Sequence, residues 1–200
     1  MFPSVQKTHF QNRPYLFMKT HLTFRKIALL LALGFQVAVM SGQAPAPVDL
    51  TPKKIVVDGK EMFQLGFDKL SSFTYTLVDA GTGATPEEIE AHLKKDPVPA
   101  WVHLYDNQRV MLTGYMMPLQ IENGRSKKFV MMRDVNTCCY GAVPNMNDYL
   151  VVTMEGEGIE VVQDVPVDLV GVFHIDHRYE GGYVVSLFAM TGEKFLGPRK

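Results

Sequence analysis

Residues 109–132 read RVMLTGYMMPLQIENGRSKKFVMM, two apolar runs on either side of an Asn-Gly pair. The runs are 109–116 and 128–132, and both are rich in Val, Met, Phe and Tyr. Such runs joined through Asn123-Gly124 are typical of a β-hairpin, because both turn residues tolerate positive φ. The stretch therefore predicts two strands at the start of a β-rich domain.

Three further runs with strand composition follow along the chain. They are residues 149–154, 165–175 and 183–189, separated by glycine-bearing turns. Gly114 and Gly171 lie inside the first and fourth of the five strands, where glycine permits a sharp bend or a bulge. Five short strands with such bends predict a mainly β fold, a small five-stranded barrel of the oligonucleotide/oligosaccharide-binding (OB) type. A two-sheet β-sandwich is the alternative.

The residues before this domain form an α/β extension. Asp58-Gly59 predicts a short hairpin, and residues 73–78 have strand composition. Thr85 is a helix N-cap, Pro86 takes the first helical position and Glu88 completes a capping box. We expect one helix in this extension.

The N-terminal segment has the pattern of an export signal. The first 42 residues contain five Lys and Arg and no Asp or Glu, and the apolar run 27–39 follows a basic pair. That run is too short to span a bilayer, which takes roughly 20 residues. We predict a signal peptide cleaved after Ser41 or Gly42, with Met18 a second candidate start and an uncleaved anchor the alternative. The chain then divides into a signal peptide (1–42), a linker (43–54), an N-terminal extension (55–97) and the barrel domain (98–200).

The net charge of the chain after the predicted signal peptide argues against a nucleic-acid partner. Residues 43–200 carry 15 Lys and Arg against 21 Asp and Glu, a net charge of −6. Nucleic-acid binders usually show a basic footprint, so no nucleic-acid partner is expected. A periplasmic or secreted location is expected, and such compartments are oxidising.

Cys138 and Cys139 are the two cysteines of the chain, and they are adjacent. Consecutive Cα atoms lie about 3.8 Å apart, whereas an unstrained disulfide needs roughly 4.4–6.8 Å. The pair is therefore a poor structural staple. Thiolates suit zinc and copper, and two cysteines need further ligands. His174 and His177 are the imidazole candidates for such a metal site.

Simpler interpretations stand beside the metal site. Five methionines flank the cysteine pair in sequence, and methionine ordinarily fills gaps in a core. These are Met116, Met117, Met131, Met132 and Met146. His174 is expected to be a strand residue with a satisfied nitrogen, and His177 to start an exposed turn. The cysteines themselves could be buried or locked thiols that only rigidify their loop.

The motifs Gly-Tyr-Met-Met-Pro-Leu at 114–119 and Cys-Cys-Tyr-Gly-Ala-Val-Pro-Asn-Met-Asn at 138–147 resemble family 3299 of the bacterial domains of unknown function. The resemblance covers residues 98–190 and implies a small exported β-domain associated with membrane transport systems. It implies no activity. The motif residues are further candidates for the site: Tyr115, Met116, Pro118, Gly141, Pro144 and Asn147.

Three hypotheses of function follow. The first is a non-enzymatic exported module whose Cys-Cys loop binds zinc or copper or docks to a membrane transport system. The second is a thiol/disulfide redox protein, although the two-residue spacer of thioredoxin-type sites is missing. The third is a structural or ligand-binding barrel without metal. No hydrolase nucleophile motif and no phosphate cradle appear in the sequence, which favours a non-enzymatic protein.

Overall fold

The computed structural model describes residues 47–136 and 143–199, in which strands greatly outnumber helices. The strands are β1 (Lys53–Val57), β2 (Lys60–Gly66), β3 (Arg109–Pro118), β4 (Arg125–Ser126), β5 (Lys128–Met132), β6 (Tyr149–Met154), β7 (Ile159–Glu160), β8 (Pro166–Glu180) and β9 (Tyr183–Pro198). The helices are α1 (Phe67–Leu70), α2 (Pro86–Lys94) and α3 (Ala100–His103), with a 3-10 turn at Ala80–Thr82. The predicted mainly β class is confirmed.

Seven strands form one mixed sheet in the order β1-β2-β3-β5-β6-β9-β8, and β3 also pairs with β8. β3 divides its length between two neighbours: residues 109–115 face β8 and residues 115–118 face β5. The β6–β9 pairing is parallel, and the other pairings around this circuit are antiparallel. The five predicted strands therefore make a partly ring-closed arrangement within one continuous sheet. The sandwich alternative, which needs two separate sheets, does not describe it.

Alternation along the strands builds the core. In β3 the buried positions are Val110, Leu112, Gly114 and Met116, and the residues between them are half-buried, as the two-residue period of a strand requires. β6 alternates in the same way, whereas Phe129–Met132 of β5 are buried at every position. Together the strands fill the interior with large apolar side chains. Fully or almost fully buried are Phe129, Met131, Leu150, Val152, Leu169, Phe173, Phe188 and Met190. Burying each such side chain stabilises the fold by roughly 1.5–3 kcal/mol.

The two predicted bend glycines lie where β3 and β8 change course. Gly114 precedes the residue at which β3 passes from β8 to β5. A Cβ there would lie 2.8 Å from the Met132 carbonyl oxygen and 2.8 Å from the Phe67 ring. Gly171 lies at a register shift between β8 and β9. Both positions need glycine because another strand or ring approaches the backbone closely.

The N-terminal extension joins the same sheet. The Asp58-Gly59 hairpin is confirmed, with φ of 50° and 73° at its two turn residues, and β2 pairs in parallel with β3. The capping box of α2 is also confirmed: the Thr85 hydroxyl accepts from the Glu88 amide at 3.3 Å, and the Glu88 carboxylate accepts from the Thr85 amide at 2.8 Å.

The predicted strand at 73–78 is wrong. These residues have no ladder partner in the described chain, and their carbonyl groups are used differently. The Phe73 carbonyl accepts from the Asn147 side chain, and the Val78 carbonyl accepts from the Tyr179 hydroxyl. A segment with high β-propensity does not form a strand where no neighbouring sheet edge is free to pair with it.

Several lengths also differ from prediction. β8 continues to Glu180 and β9 to Pro198, beyond the apolar runs that predicted them. Their last residues alternate between exposed and half-buried positions, so apolar content understates their length. No helix of the described residues has the length and apolar character needed to cross a membrane.

Candidate functional site

The cysteine pair is approached from two described flanks. Cys138, Cys139 and Gly141 lie outside the described residues, and so their predicted role is judged from the chain on either side. On the N-terminal side, β5 ends at Met132 and the chain continues to Asn136. On the C-terminal side, description resumes at Val143, which is 92% exposed.

The two flanks are tied together by Arg133 and Asp148. The Arg133 amide donates to the Asp148 carbonyl at 2.9 Å, and the Arg133 Nη1 lies 3.0 Å from the Asp148 Oδ1. That carboxylate is largely buried, and its Oδ2 accepts from the backbone and side-chain nitrogens of Asn145, at 3.1 Å and 2.8 Å. The segment carrying the cysteines therefore starts and ends at one ion-paired clamp.

Asn147 fixes the C-terminal flank to the N-terminal extension. Its side chain is only 2% exposed. The Nδ2 donates to the carbonyl oxygens of Leu70 at 2.9 Å and Phe73 at 2.7 Å. This predicted site residue satisfies two backbone carbonyls, as buried polar groups must, and its role in the described structure is to anchor.

A groove of about 260 Å³ lies beside the N-terminal flank. We call it the methionine groove and define it by its lining: Tyr115, Met116, Met117, Pro118, Met132, Asp134, Val135, Gln163 and Asp164. The structure thus brings together the predicted site residues Tyr115, Met116 and Pro118. They meet the residues that lead directly into the cysteine pair.

Strand pairing decides which methionines face the groove. Directly opposite residues of an antiparallel pair share a face, and Tyr115 is opposite Met132. Met117 lies two residues along β3 and shares this face, on which Met132 is buried and Met117 is half-buried. The intervening pair, Met116 with Met131, belongs to the core cluster, although Met116 also contributes to the groove lining. The core-filling interpretation holds for Met116 and Met131, whereas Met117 and Met132 are thioethers of the groove.

Met146 and Pro144 lie on the other flank and are both half-buried. The Tyr149 hydroxyl is 3.3 Å from the Met146 sulfur and 3.3 Å from the Val185 carbonyl oxygen. Burial raises the pKa of this tyrosine above its usual value, so the hydroxyl keeps its proton as a donor. Met146 packs against the core.

The two histidines are placed away from the groove lining. His174 has partners at both ring nitrogens, Asn107 Oδ1 at 3.1 Å and Thr191 Oγ1 at 3.3 Å. The expectation of a satisfied strand histidine is confirmed. His177 was expected to start an exposed turn, and this is wrong: it is a half-buried residue of β8, because that strand continues to Glu180.

Burial lowers the pKa of His177 below its ordinary value, with His92 and His103 acting in the same direction and Asp96 and Asp176 opposing it. Its Nε2 is buried and has no hydrogen-bond partner in the described part of the chain. Among residues 47–136 and 143–199, no cluster of three or more His, Cys, Asp or Glu side chains could hold a metal ion.

Sequence reasoning missed the clamp. Arg133 lies five residues before Cys138, and Asp148 lies nine residues after Cys139. The signal available in the sequence was a pair of opposite charges, one at each end of the segment that carries the cysteines. Loop aspartates are so often turn formers that this signal is weak by itself.

A similar solved structure is that of a DUF3299 family protein from Pseudomonas aeruginosa PAO1, determined by crystallography at 2.45 Å resolution. It is 18% identical in sequence, the match covers 68% of this chain and 96% of that chain, and the TM-score is 0.44. The family named for that structure is the one that the sequence motifs resemble. No protein-family model matches the sequence, and no curated protein matches it.

Proposed function

We propose that this chain is an exported, non-enzymatic protein that binds a soft metal ion at Cys138 and Cys139. The preferred ion is Cu(I). One observation carries the proposal: the chain that lines the methionine groove at Val135 runs directly into the cysteine pair. Three residues of chain span at most about 11 Å, so the length of the chain permits the thiols to reach the groove's thioethers.

The donor set favours copper over zinc. Thiolates bind Cu(I) and Zn(II), whereas thioethers select Cu(I). A zinc site would complete its tetrahedron with imidazole or carboxylate ligands. Neither predicted histidine lines the groove, both ring nitrogens of His174 already have partners, and the carboxylates of the lining are Asp134 and Asp164. The residues proposed to hold the ion are Cys138, Cys139, Met117 and Met132.

The Arg133–Asp148 ion pair, which we call the clamp, supports the proposal that the cysteine segment is a binding loop. Arg133 and Asp148 hold the two mouths of the segment together, so the ends of the loop do not have to be brought together when an ion binds. Ordering fewer groups on binding leaves more of the interaction energy as affinity.

Location and partner rest on other grounds. The basic and apolar N-terminal pattern supports export to the periplasm or outside the cell. The family resemblance supports a membrane transport system as the partner that supplies or receives the ion.

The test is an anaerobic Cu(I) titration of the reduced protein against a competing chelator. We expect saturable binding that is lost in the Cys138→Ser/Cys139→Ser variant. Replacing the groove thioethers in Met117→Leu/Met132→Leu should weaken binding about tenfold. Met111→Leu is the matched control, because Met111 is a half-buried methionine of β3 outside the groove.

Each alternative has its own signature in the same experiment. Undiminished copper binding in the double serine variant would remove the cysteines from the site and contradict the proposal. Loss of stability in that variant, with no copper binding by the wild type, would leave a loop that the thiols only rigidify. Rapid disulfide exchange with a small-molecule thiol, again without copper binding, would favour a redox protein.

A further inference from the structure

A second cavity, of about 550 Å³, is lined by residues 49–53 of the predicted linker, by the end of β2 and by α1. Arg133 lines this cavity, whereas its neighbours Met132 and Asp134 line the methionine groove. The segment leading to the cysteines therefore runs between two cavities of different chemistry. The volume is within the range of about 300–1,000 Å³ that small-molecule sites occupy.

The cavity concentrates positive charge in an acidic chain. Four cations line it, Lys53, Lys69, Arg133 and Arg199, against the two carboxylates of Asp49 and Asp68. Residues 43–200 have 15 cations and 21 acidic residues in all. More than a quarter of the cations thus meet in one cavity with fewer than a tenth of the acids.

Lys69 is the buried cation of this set, with 8% of its surface exposed. Its Nζ donates to the Thr51 carbonyl oxygen, and its charge lowers the pKa of Asp49 as a minor effect behind the hydrogen bonds from Thr51. An ammonium group has three N–H donors, and Thr51 is the one hydrogen-bond acceptor that the described residues supply. A buried cation is costly unless it is paired, so an anion in the cavity would complete its surroundings.

The two guanidinium groups are held in place by neighbouring side chains. The Arg199 Nη1 donates to the Thr113 hydroxyl at 3.3 Å, and that hydroxyl lies 2.5 Å from the Asp168 carboxylate. Arg133 is ion-paired with Asp148 at 3.0 Å and, more loosely, with Asp134 at 3.3 Å.

These contacts use only some of the N–H donors of the Arg133 and Arg199 guanidinium groups. A guanidinium carries five N–H donors in a planar fork, which matches the paired oxygens of carboxylates and phosphates. Held guanidiniums also lose less freedom when they bind a ligand. The contacts with Asp148, Asp134 and Thr113 therefore position the two arginines and leave donors for an incoming anion.

We propose that this cavity is a binding site for a small anion that carries carboxylate or phosphate groups. Lys53, Lys69, Arg133 and Arg199 recognise its oxygens. The site shares Arg133 with the clamp of the cysteine loop, and it is chemically distinct from the proposed copper site. None of its side chains donates sulfur, so each proposal can fail without the other.

The test titrates the full chain with citrate and, separately, with inorganic phosphate, and follows binding by calorimetry and by amide chemical shifts. We expect saturable binding of at least one anion, with the largest shifts in residues 64–69. The preferred anion distinguishes a carboxylate ligand from a phosphate ligand. In Lys53→Gln/Arg199→Gln, both exposed positions, the preferred anion should bind about tenfold more weakly.

Lys54→Gln is the matched control, because Lys54 is the exposed neighbour that pairs with Glu61 and does not line the cavity. The Lys54→Gln variant should bind the preferred anion with the affinity of the wild type. Three results would overturn the proposal: no saturation by either anion up to about 10 mM, equal weakening in the control, or undiminished binding in the double variant. Should the double variant fail to fold, shifts of the wild type confined to residues outside the cavity would overturn it as well.

Discussion

At the scale of single residues, the described flanks of the cysteine pair are held by polar side chains as well as by the packing of Met146 against the core. Asn147 shows this most directly, because one amide group serves two carbonyls of the N-terminal extension. A third contact joins the Ser71 hydroxyl to the Asn147 carbonyl at 3.4 Å. The sequence motif that contains Asn147 therefore includes at least one residue whose described role is structural.

We expect Asn147→Ala to lower the free energy of unfolding by about 2–4 kcal/mol, because the buried Leu70 carbonyl and the partly buried Phe73 carbonyl lose their donor, and an unsatisfied buried group costs about 1–3 kcal/mol. Urea denaturation followed by circular dichroism measures this. Asn136→Ala, at an exposed asparagine on the other flank, should change stability by less than about 0.5 kcal/mol. Equal stabilities of the two variants would contradict the anchoring role of Asn147.

At the scale of elements, β8 meets the helical segment of the extension around His177. The charged and titratable groups that act on this imidazole come from α2 (His92), from the loop after it (Asp96), from α3 (His103) and from β8 itself (Asp176). The His103 Nε2 lies 2.9 Å from the Asp96 Oδ2, and the His92 ring packs edge-on against Tyr75. Desolvation outweighs the two carboxylates, so the folded protein favours neutral His177.

This arrangement predicts a loss of stability in mild acid. The unfolded chain takes up a proton at His177 as pH falls through its ordinary value of 6.5, whereas the folded chain, with its lowered pKa, does so only at lower pH. The free energy of unfolding should therefore fall between about pH 7.5 and 5.5. His177→Gln should show a shallower fall in urea denaturation over that range. Parallel pH profiles for the two proteins would exclude His177 as the source.

At the scale of the whole molecule, the partly closed ring depends on strands that change partners or register. β3 passes from β8 to β5 at Tyr115, and β8 shifts register against β9 at Gly171. Such bulges bend and twist a strand. The bends let five strands turn back on themselves around one apolar interior.

We expect Gly171→Ala to destabilise the fold by about 3 kcal/mol. A Cβ at this position would lie 2.2 Å from the Thr191 carbonyl oxygen and 2.9 Å from the Gly192 Cα, and both atoms belong to the β9 backbone. The matched control is Gly59→Ala in the β1–β2 turn, where no heavy atom lies within 4 Å. Its positive φ should cost about 1 kcal/mol. Thermal unfolding of both variants measures the difference, and equal losses would contradict a special role for the β8–β9 approach.

The strands of the ring were largely predictable because each is an apolar run between glycine-bearing turns. The helix α2 was predictable as well, because its capping box is a signal carried by a few neighbouring residues. The error at residues 73–78 has the opposite cause: whether such a segment becomes a strand depends on a free neighbouring edge. His177 was misjudged because the polar end of β8 is stabilised by its partner strand and not by its own composition.

By itself, the sequence determined the mainly β class, the five strands of the ring, the turns at Asp58-Gly59 and Asn123-Gly124 and the capped helix. These follow from side-chain periodicity and backbone preference, which act over a few neighbouring residues. Only the tertiary structure decided which methionines face the groove, that Asn147 anchors, and that Arg133 and Asp148 clamp the cysteine segment. Those facts depend on strand register and on contacts between residues far apart in the chain, which local patterns do not encode.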